Sequence, residues 1–190
     1  MRPKDDNKIK AIYAATLHLN ENLGFTGMTM SKIAKEAGIA TGTLYIYFKN
    51  KHELINSLYL HLKKQKAKNI LHELNLNQPY KTLFKSLFIS SVANAIAHFR
   101  ESAFLEQYYR SPFIDELVKI EGMQPFTPIF QIIEDAKKDL VIKDVDTVYI
   151  FACMNGLLNE FTKSIKENQL LWNEISQQIM FDLLWDSIKN

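Results

Sequence analysis

Four hydroxyl-bearing side chains lie at alternate positions between residues 41 and 47. They are Thr41, Thr43, Tyr45 and Tyr47, and the two tyrosines also carry flat aromatic rings. Hydroxyl groups hydrogen-bond to phosphate oxygens or to base edges, and ring edges can contact the methyl group of thymine. These side chains therefore suit contact with nucleic acid, provided that one surface presents them together.

The residues before this set predict a first short helix. Ile33, Ala34 and Ala37 have the spacing of one helical face, which predicts a helix over Ser31–Ala37. Gly38 follows it, at a position where a left-handed backbone is needed and glycine adopts that backbone without penalty.

The hydroxyl-bearing residues themselves fall within a second predicted helix, Thr41–Phe48. Leu44 and Phe48 are four residues apart, so they share the face that packs on the first helix. All four hydroxyl-bearing side chains are then expected to point away from this small core. Two short helices joined by a tight turn form a helix-turn-helix, whose second helix fits the major groove of DNA.

The next helix is predicted to begin at Asn50, directly after the helix-turn-helix. Lys49 and Lys51 flank this start, where free backbone amides and a lysine together form an anion site. Gly42 allows the backbone to approach a phosphate closely. The segment therefore offers both base-facing and phosphate-facing groups.

Over residues 29–54 the sequence resembles the TetR family of bacterial transcriptional regulators, without a gap. The resemblance covers the first quarter to third of the chain. One departure is Ala40, where the family usually has a serine that caps the second helix; Thr41 is the alternative cap. The matching positions are Thr29, Ile33, Ala34, Ala37, Gly38, Ile39, Ala40, Thr41, Gly42, Thr43, Leu44, Tyr45, Tyr47, Phe48, Lys51 and Leu54.

The resemblance implies a role for each matched polar position. It implies phosphate contacts for Thr29, Tyr47 and Lys51. It implies a base-facing surface formed by Thr41, Gly42, Thr43 and Tyr45. The alternatives are a helix cap at Thr29, a solvated lysine at Lys51, and a plain helical hairpin with partly buried tyrosines.

The distribution of charge agrees with a DNA-binding N-terminal part. The formal net charge of the 190 residues is +2. Residues 1–66 hold eleven basic and five acidic side chains, whereas residues 67–190 hold twelve and sixteen. A basic segment beside an acidic remainder is typical of a polyanion-binding head on a body that avoids DNA, with chance clustering as the alternative.

The rest of the chain predicts an all-α fold, because helical apolar spacing recurs and alternating β-branched runs are absent. The predicted domains are a helix-turn-helix domain over 1–50 and a helical effector-binding and dimerisation domain over 51–190. Predicted helices cover residues 6–23, 50–74, 80–100, 102–109, 126–138, 144–167 and 171–189. The second of these leads from the head into the body.

Aromatic residues are frequent in the predicted body and favour an apolar ligand pocket, although each is also a candidate for plain core packing. The resemblance implies that a small-molecule inducer occupies such a pocket and releases the protein, as a repressor, from its operator. The pocket is predicted to be lined by Phe88, Phe104, Tyr108, Phe126, Phe130, Phe151 and Asn155.

The last two predicted helices carry apolar stripes that are wide for a monomer. The resemblance implies that they pair with their two-fold mates in a four-helix bundle, which a palindromic operator in double-stranded DNA also requires. The alternative is that the stripes are intramolecular core. The predicted dimerisation residues are Val148, Ala152, Gly156, Phe161, Trp172, Ile175, Ile179 and Leu183.

Other classes of protein find less support. The five histidines form no metal-binding spacing, and there is no phosphate-cradling glycine loop, so we predict no metal, no cofactor and no enzyme. Cys153 is predicted as a buried core residue, with a redox sensor as the alternative. No apolar stretch is long enough for a membrane span, and a cytoplasmic location is expected. A helical enzyme or lipid-binding protein, and a ligand-binding adaptor without DNA contact, remain the alternatives.

Overall fold

The computed structural model describes residues 5–72 and 74–190. Residues 1–4, with which the predicted first domain begins, and Glu73 lie outside the described residues. Within the described ranges the only extended pairing is a single bridge between Ile142 and Lys189, so the predicted all-α fold is confirmed. The α-helices are α1 (Asp6–Gly27), α2 (Met30–Glu36), α3 (Thr41–Tyr47), α4 (Lys51–Leu71), α5 (Tyr80–Ala97), α6 (Phe99–Tyr109), α7 (Glu116–Met123), α8 (Thr127–Lys138), α9 (Thr147–Lys166) and α10 (Glu174–Ile188), with a 3-10 turn over Gln124–Phe126.

Five of the ten described α-helices, α1, α2, α4, α9 and α10, begin with a side chain that caps the free backbone amides of the first turn. Asp5 accepts from the amide of Asn7 at the start of α1, and Asn173 accepts from the amide of Ser176 at the start of α10. The predicted stop at Gly24 is a kink, with φ +64°, after which the helix resumes to Gly27. The helix α7 is missing from the sequence prediction.

The described chain packs into two compact units. Of the described residues, the first comprises 5–64 and 100–122, and the second comprises 65–72, 74–99 and 123–190. These packing units differ from the predicted ranges 1–50 and 51–190, because α6, α7 and the first part of α4 pack with the helix-turn-helix. Whether function divides at residue 50 stays a prediction.

Each unit has its own apolar core. In the first, Ile12, Leu44, Leu54 and Leu58 are fully buried. In the second, α5 packs against α9 and α10, around buried side chains that include Phe84, Val92, Ile133 and Leu184. In the described part of the chain, no helix combines the length and the apolarity needed to cross a bilayer.

Candidate nucleic-acid interface

The helix-turn-helix is formed by α2 and α3. Thr29 caps α2, because its hydroxyl accepts from the amide of Lys32 at 3.2 Å. The same oxygen lies 3.0 Å from the hydroxyl of Ser31, and both side chains are exposed. Thr29 thus has the cap role that the sequence left as an alternative, and its phosphate contact stays a prediction.

The turn between the two helices has the geometry expected at Gly38. Its φ is +66°, and its amide donates to the carbonyl of Lys35 at 3.2 Å. The amide of Ile39 donates to the carbonyl of Ala34 at 3.0 Å. This pair of bonds is the Schellman ending of a helix, which directs the chain sharply into α3.

The start of α3 lacks a side-chain cap. Ala40 occupies the capping position and makes no side-chain hydrogen bond to the helix. Thr41 is the first helical residue, so the idea that Thr41 takes over the cap is wrong. Its exposed hydroxyl therefore remains available for contact with another molecule.

The buried face of α3 differs from the prediction at one position. Leu44 and Phe48 pack in the core as expected, but Tyr47 is only 8% exposed and joins them. The hydroxyl of Tyr47 accepts from the backbone amide of Asp5 at 3.3 Å. The expectation that Tyr47 points away from the core is wrong, because its position on the helix lies beside Leu44, three residues away.

The opposite face of α3 is open. Thr41, Gly42 and Tyr45 are exposed, with Tyr45 at 51%, while Thr43 is half-buried. Ile46, which is not among the residues predicted to face DNA, is 75% exposed on the same face. The signal was available, because a buried Leu44 and Phe48 leave the residue midway between them on the far side of the helix.

Lys51 lies in a position that the sequence did not indicate. Its side-chain nitrogen donates to the carbonyl of Phe25 at 2.9 Å and to that of Met28 at 3.0 Å. Lys32 similarly donates to the carbonyl of Gly27 at 2.9 Å. Both lysines bind the backbone around the end of α1, so a phosphate contact by Lys51 would compete with these bonds.

The start of α4 is also occupied by side chains of its own segment. The side chain of Asn50 accepts from the amide of Glu53 at 2.8 Å, and the carboxylate of Glu53 accepts from the amide of Lys49 at 2.7 Å. This reciprocal arrangement resembles a capping box. Two of the amides that the predicted anion site requires are therefore already bonded in the described structure.

The predicted pocket residues are not brought into one cavity. Phe104 and Tyr108 are buried in the first unit, where the hydroxyl of Tyr108 donates to Asn56 at 2.6 Å and burial raises the pKa of Tyr108 to about 12. Asn155 is exposed on α9. The remaining four lie in or against the core of the second unit: Phe88, Phe126, Phe130 and Phe151.

A groove of about 450 Å³ opens in the second unit, where α4 and α5 end. Six of its eight lining residues have polar or charged side chains, and the side chain of Asn69 donates to that of Asn94 at 2.9 Å. The lining side chains are Lys68, Asn69, His72, Ser90, Ala93, Asn94, Ala97 and His98.

An apolar stripe on α9 and α10 is uncovered in the described chain. Six of the predicted dimerisation residues are exposed on it, whereas Phe161 and Trp172 are partly buried against the core of their own unit. Leu171, in the connection between α9 and α10, is also 71% exposed. The six are Val148, Ala152, Gly156, Ile175, Ile179 and Leu183.

Cys153 lies on the same side of α9 and is exposed, so the prediction that it is buried is wrong. It directly follows Ala152, at the exposed surface of the helix rather than at its core face. Among the described residues, no group of three or more His, Cys, Asp or Glu side chains could hold a metal ion.

Comparison with known sequences identifies the helix-turn-helix. The profile of "Bacterial regulatory proteins, tetR family" matches residues 12–58. A fatty acid metabolism regulator protein of Bacillus subtilis (strain 168) is 44% identical over 59 residues, which cover 31% of this chain and 30% of that protein. The matched segment thus spans about a third of this curated relative.

Comparison with solved structures extends the likeness to the whole chain, at the level of fold. A TetR family transcription regulator from Marinobacter aquaeolei VT8 has a TM-score of 0.92 and 18% identity, with 100% of each chain covered. A transcriptional regulator FadR from Bacillus subtilis, in complex with stearoyl-CoA, has a TM-score of 0.70 and 18% identity, covering 92% of this chain and 96% of that one. The match over residues 12–58 agrees with the predicted helix-turn-helix of the TetR type. Residues 12–58 thus match the model of the TetR family of bacterial regulatory proteins in sequence, and the whole chain shares its fold with solved TetR-family structures.

Proposed function

We propose that this protein is a sequence-specific DNA-binding repressor whose α3 enters the major groove. The observation that carries the proposal is the open face of α3, where Thr41, Gly42 and Tyr45 are exposed while Leu44 fixes the helix in the core. The half-exposed side chain of Tyr45 and the small residues Thr41 and Gly42 allow DNA to approach this face closely. Thr43 contributes at the edge of this face.

The proposed DNA-binding species is a homodimer on a palindromic operator in double-stranded DNA. One seven-residue helix reads too few base pairs for specific regulation, and a two-fold dimer doubles the site. The uncovered stripe on α9 and α10 supports this assembly. Contiguous apolar surface of this kind is unusual on a monomer and is characteristic of protein interfaces.

The proposed effector is a small molecule with an apolar or aromatic part. Four of the predicted pocket residues, Phe88, Phe126, Phe130 and Phe151, belong to one unit, and Phe130 and Phe151 lie 4.7 Å apart between ring centroids. Phe88 is 1% exposed, so an apolar ligand must separate side chains that are packed in the described state. Phe104 and Tyr108 pack in the first unit, so the proposed ligand pocket does not include them.

Long acyl chains are the first effectors to try, because the FadR neighbour binds stearoyl-CoA. The sequence likeness to the fatty acid metabolism regulator covers only about the DNA-binding part, so it says nothing of the effector. Any such ligand releases the operator only to the extent that it binds one conformation better than the other. The helix α4 is the proposed connection, because it contributes residues to both units.

DNA selection from a fragment library of the source genome tests the regulator proposal, with binding repeated at low and at physiological salt. We expect a short palindrome bound at nanomolar affinity, and about a tenfold or greater loss of that affinity in Tyr45→Ala. Weak binding that disappears with salt and shows no preferred sequence would overturn the proposal.

The effector proposal needs a separate measurement on the selected operator. Stearoyl-CoA is compared with free coenzyme A and with stearate, by operator release and by the thermal stability of the DNA-free protein. Release by the acyl compounds and not by coenzyme A is expected. If a compound stabilises the protein but leaves operator affinity unchanged, the proposed coupling is wrong.

A further inference from the structure

The composition of the exposed α3 face limits which bases it can recognise. The helix reads TGTLYIY and contains no charged residue and no amide side chain. The strongest readers of guanine are arginine and lysine, and those of adenine are asparagine and glutamine. Recognition by α3 is therefore left to hydroxyl groups and apolar contacts.

Ile46 is the most exposed apolar side chain of α3. It is 75% exposed, whereas Leu44 and Tyr47 on the same helix are 0% and 8% exposed. Side chains on a helix lean over the turn before them, so the residue beneath Ile46 is Gly42. Gly42 has no side chain, and the space beside it is open, because an added Cβ would meet no atom within 4 Å. The side chain of Ile46 is therefore left exposed on this turn.

The major groove presents one apolar group of its own, the 5-methyl group of thymine. We propose that Ile46 is a specificity-determining residue that contacts a thymine methyl in each half of the operator. The base pair at the contacted position is then A·T, because thymine is the base that carries this methyl group. This inference rests on the proposed function, because it requires that α3 enters the major groove.

Replacement of thymine by deoxyuridine tests this contact, because it removes the methyl group alone. Each thymine of the selected operator is replaced in turn, symmetrically in both halves, and affinity is measured with the full-length protein. At one symmetric pair of positions we expect about a fourfold or greater loss per half-site, the value for one buried methyl-sized group. All other replacements should leave the affinity nearly unchanged.

The variant Ile46→Ala connects the methyl group to this side chain. It should bind the thymine operator as weakly as the wild type binds the deoxyuridine operator, and it should lose little more when deoxyuridine is introduced. Ile120→Ala is the matched control, because Ile120 is 62% exposed on α7. It should keep the wild-type response to deoxyuridine.

The outcomes separate this inference from the proposed function. A preferred operator whose binding ignores deoxyuridine at every position would overturn the inference and leave the repressor proposal standing. Independent, additive losses from Ile46→Ala and from deoxyuridine would also overturn it. If no sequence is preferred, the proposed function and the inference fail together.

Discussion

The side-chain nitrogen of Lys51 lies 2.9 Å from the carbonyl oxygen of Phe25. It also lies 3.0 Å from the carbonyl of Met28, so the first residue of α4 binds both ends of the segment that leads from the kink in α1 to α2. Carbonyls near a helix end lack intrahelical partners, and an ammonium group satisfies them. Lys51 thus fastens the helix-turn-helix to α4, the helix through which we propose that effector binding acts.

Replacement of Lys51 tests this fastening role. Lys51→Ala should lower the free energy of unfolding by about 1–2 kcal/mol, because two partly buried carbonyls lose a charged donor. Urea unfolding measures the change, and Lys49→Ala, at an exposed neighbour, is the control and should change stability by less than about 0.5 kcal/mol. Unchanged stability in Lys51→Ala, with weaker binding to all DNA and a smaller salt dependence, would favour the phosphate contact instead.

Two glycines should respond in opposite directions to the same substitution. An added Cβ at Gly122 would lie 2.6 Å from a ring carbon of Tyr59, whose side chain is only 1% exposed. Gly122→Ala should therefore destabilise the protein by about 1–3 kcal/mol. Gly42→Ala meets no atom within 4 Å and should stabilise α3 by about 0.5–1 kcal/mol. Thermal unfolding measures both, and a shift of the same sign in the two variants would contradict this packing argument.

Local signals predicted the helix-turn-helix well. Gly38, the apolar spacing of Ile33 and Ala34, and the pair Leu44 and Phe48 all act within one or two turns of chain, so sequence spacing determines them. Tyr47 was misplaced because a tyrosine can satisfy its hydroxyl at the edge of a core, here on the amide of Asp5, forty-two residues away. Spacing alone carries no information about such a distant partner.

The candidate pocket was harder to predict, because aromatic side chains look alike in sequence whichever core they join. Phe104 and Tyr108 pack with Phe25 in the first unit, where ring centroids lie 5.4 Å and 5.3 Å from Phe25. Only tertiary packing separates them from Phe88 and its neighbours in the second unit. Cys153 was misplaced for a related reason. The apolar residues of α9 include both buried side chains and side chains of the exposed stripe, and the sequence does not distinguish the two.

Charge introduced into the uncovered stripe should separate the proposed dimer. Ile175 is 73% exposed on α10, so Ile175→Glu costs little in an isolated chain but places a carboxylate in an apolar interface. Sedimentation should show a monomer, and circular dichroism should show unchanged helical content. Operator affinity should fall sharply, because the monomer binds only one half-site. Leu76→Glu is the matched control, because Leu76 is 62% exposed outside the stripe. A dimer that survives in Ile175→Glu would show that this surface is not the interface.

His61 should make the stability of the protein depend on pH near neutrality. Its ring lies 5.0 Å from that of Tyr13, and burial, followed by the charge of Lys64, lowers the pKa of His61 below its usual 6.5. Between the folded pKa and about 6.5 the unfolded chain binds a proton that the folded chain does not, so the free energy of unfolding rises with pH. This contribution is complete above about 6.5 and is lost as the pH falls towards the folded pKa.

Urea unfolding of the wild type and of His61→Gln, across about pH 5 to pH 7, measures this dependence. The slope of the free energy of unfolding against pH should be smaller in the variant. The carboxyl groups of Glu134 and Asp186 do not interfere, because hydrogen bonds from Thr147 and from Lys189 hold the pKa of each below its usual value. Their stabilisation is lost only at lower pH. His72→Gln is the control, because His72 is exposed, and it should keep the wild-type slope. Equal slopes in the wild type and His61→Gln would show that the burial of His61 does not govern this pH dependence.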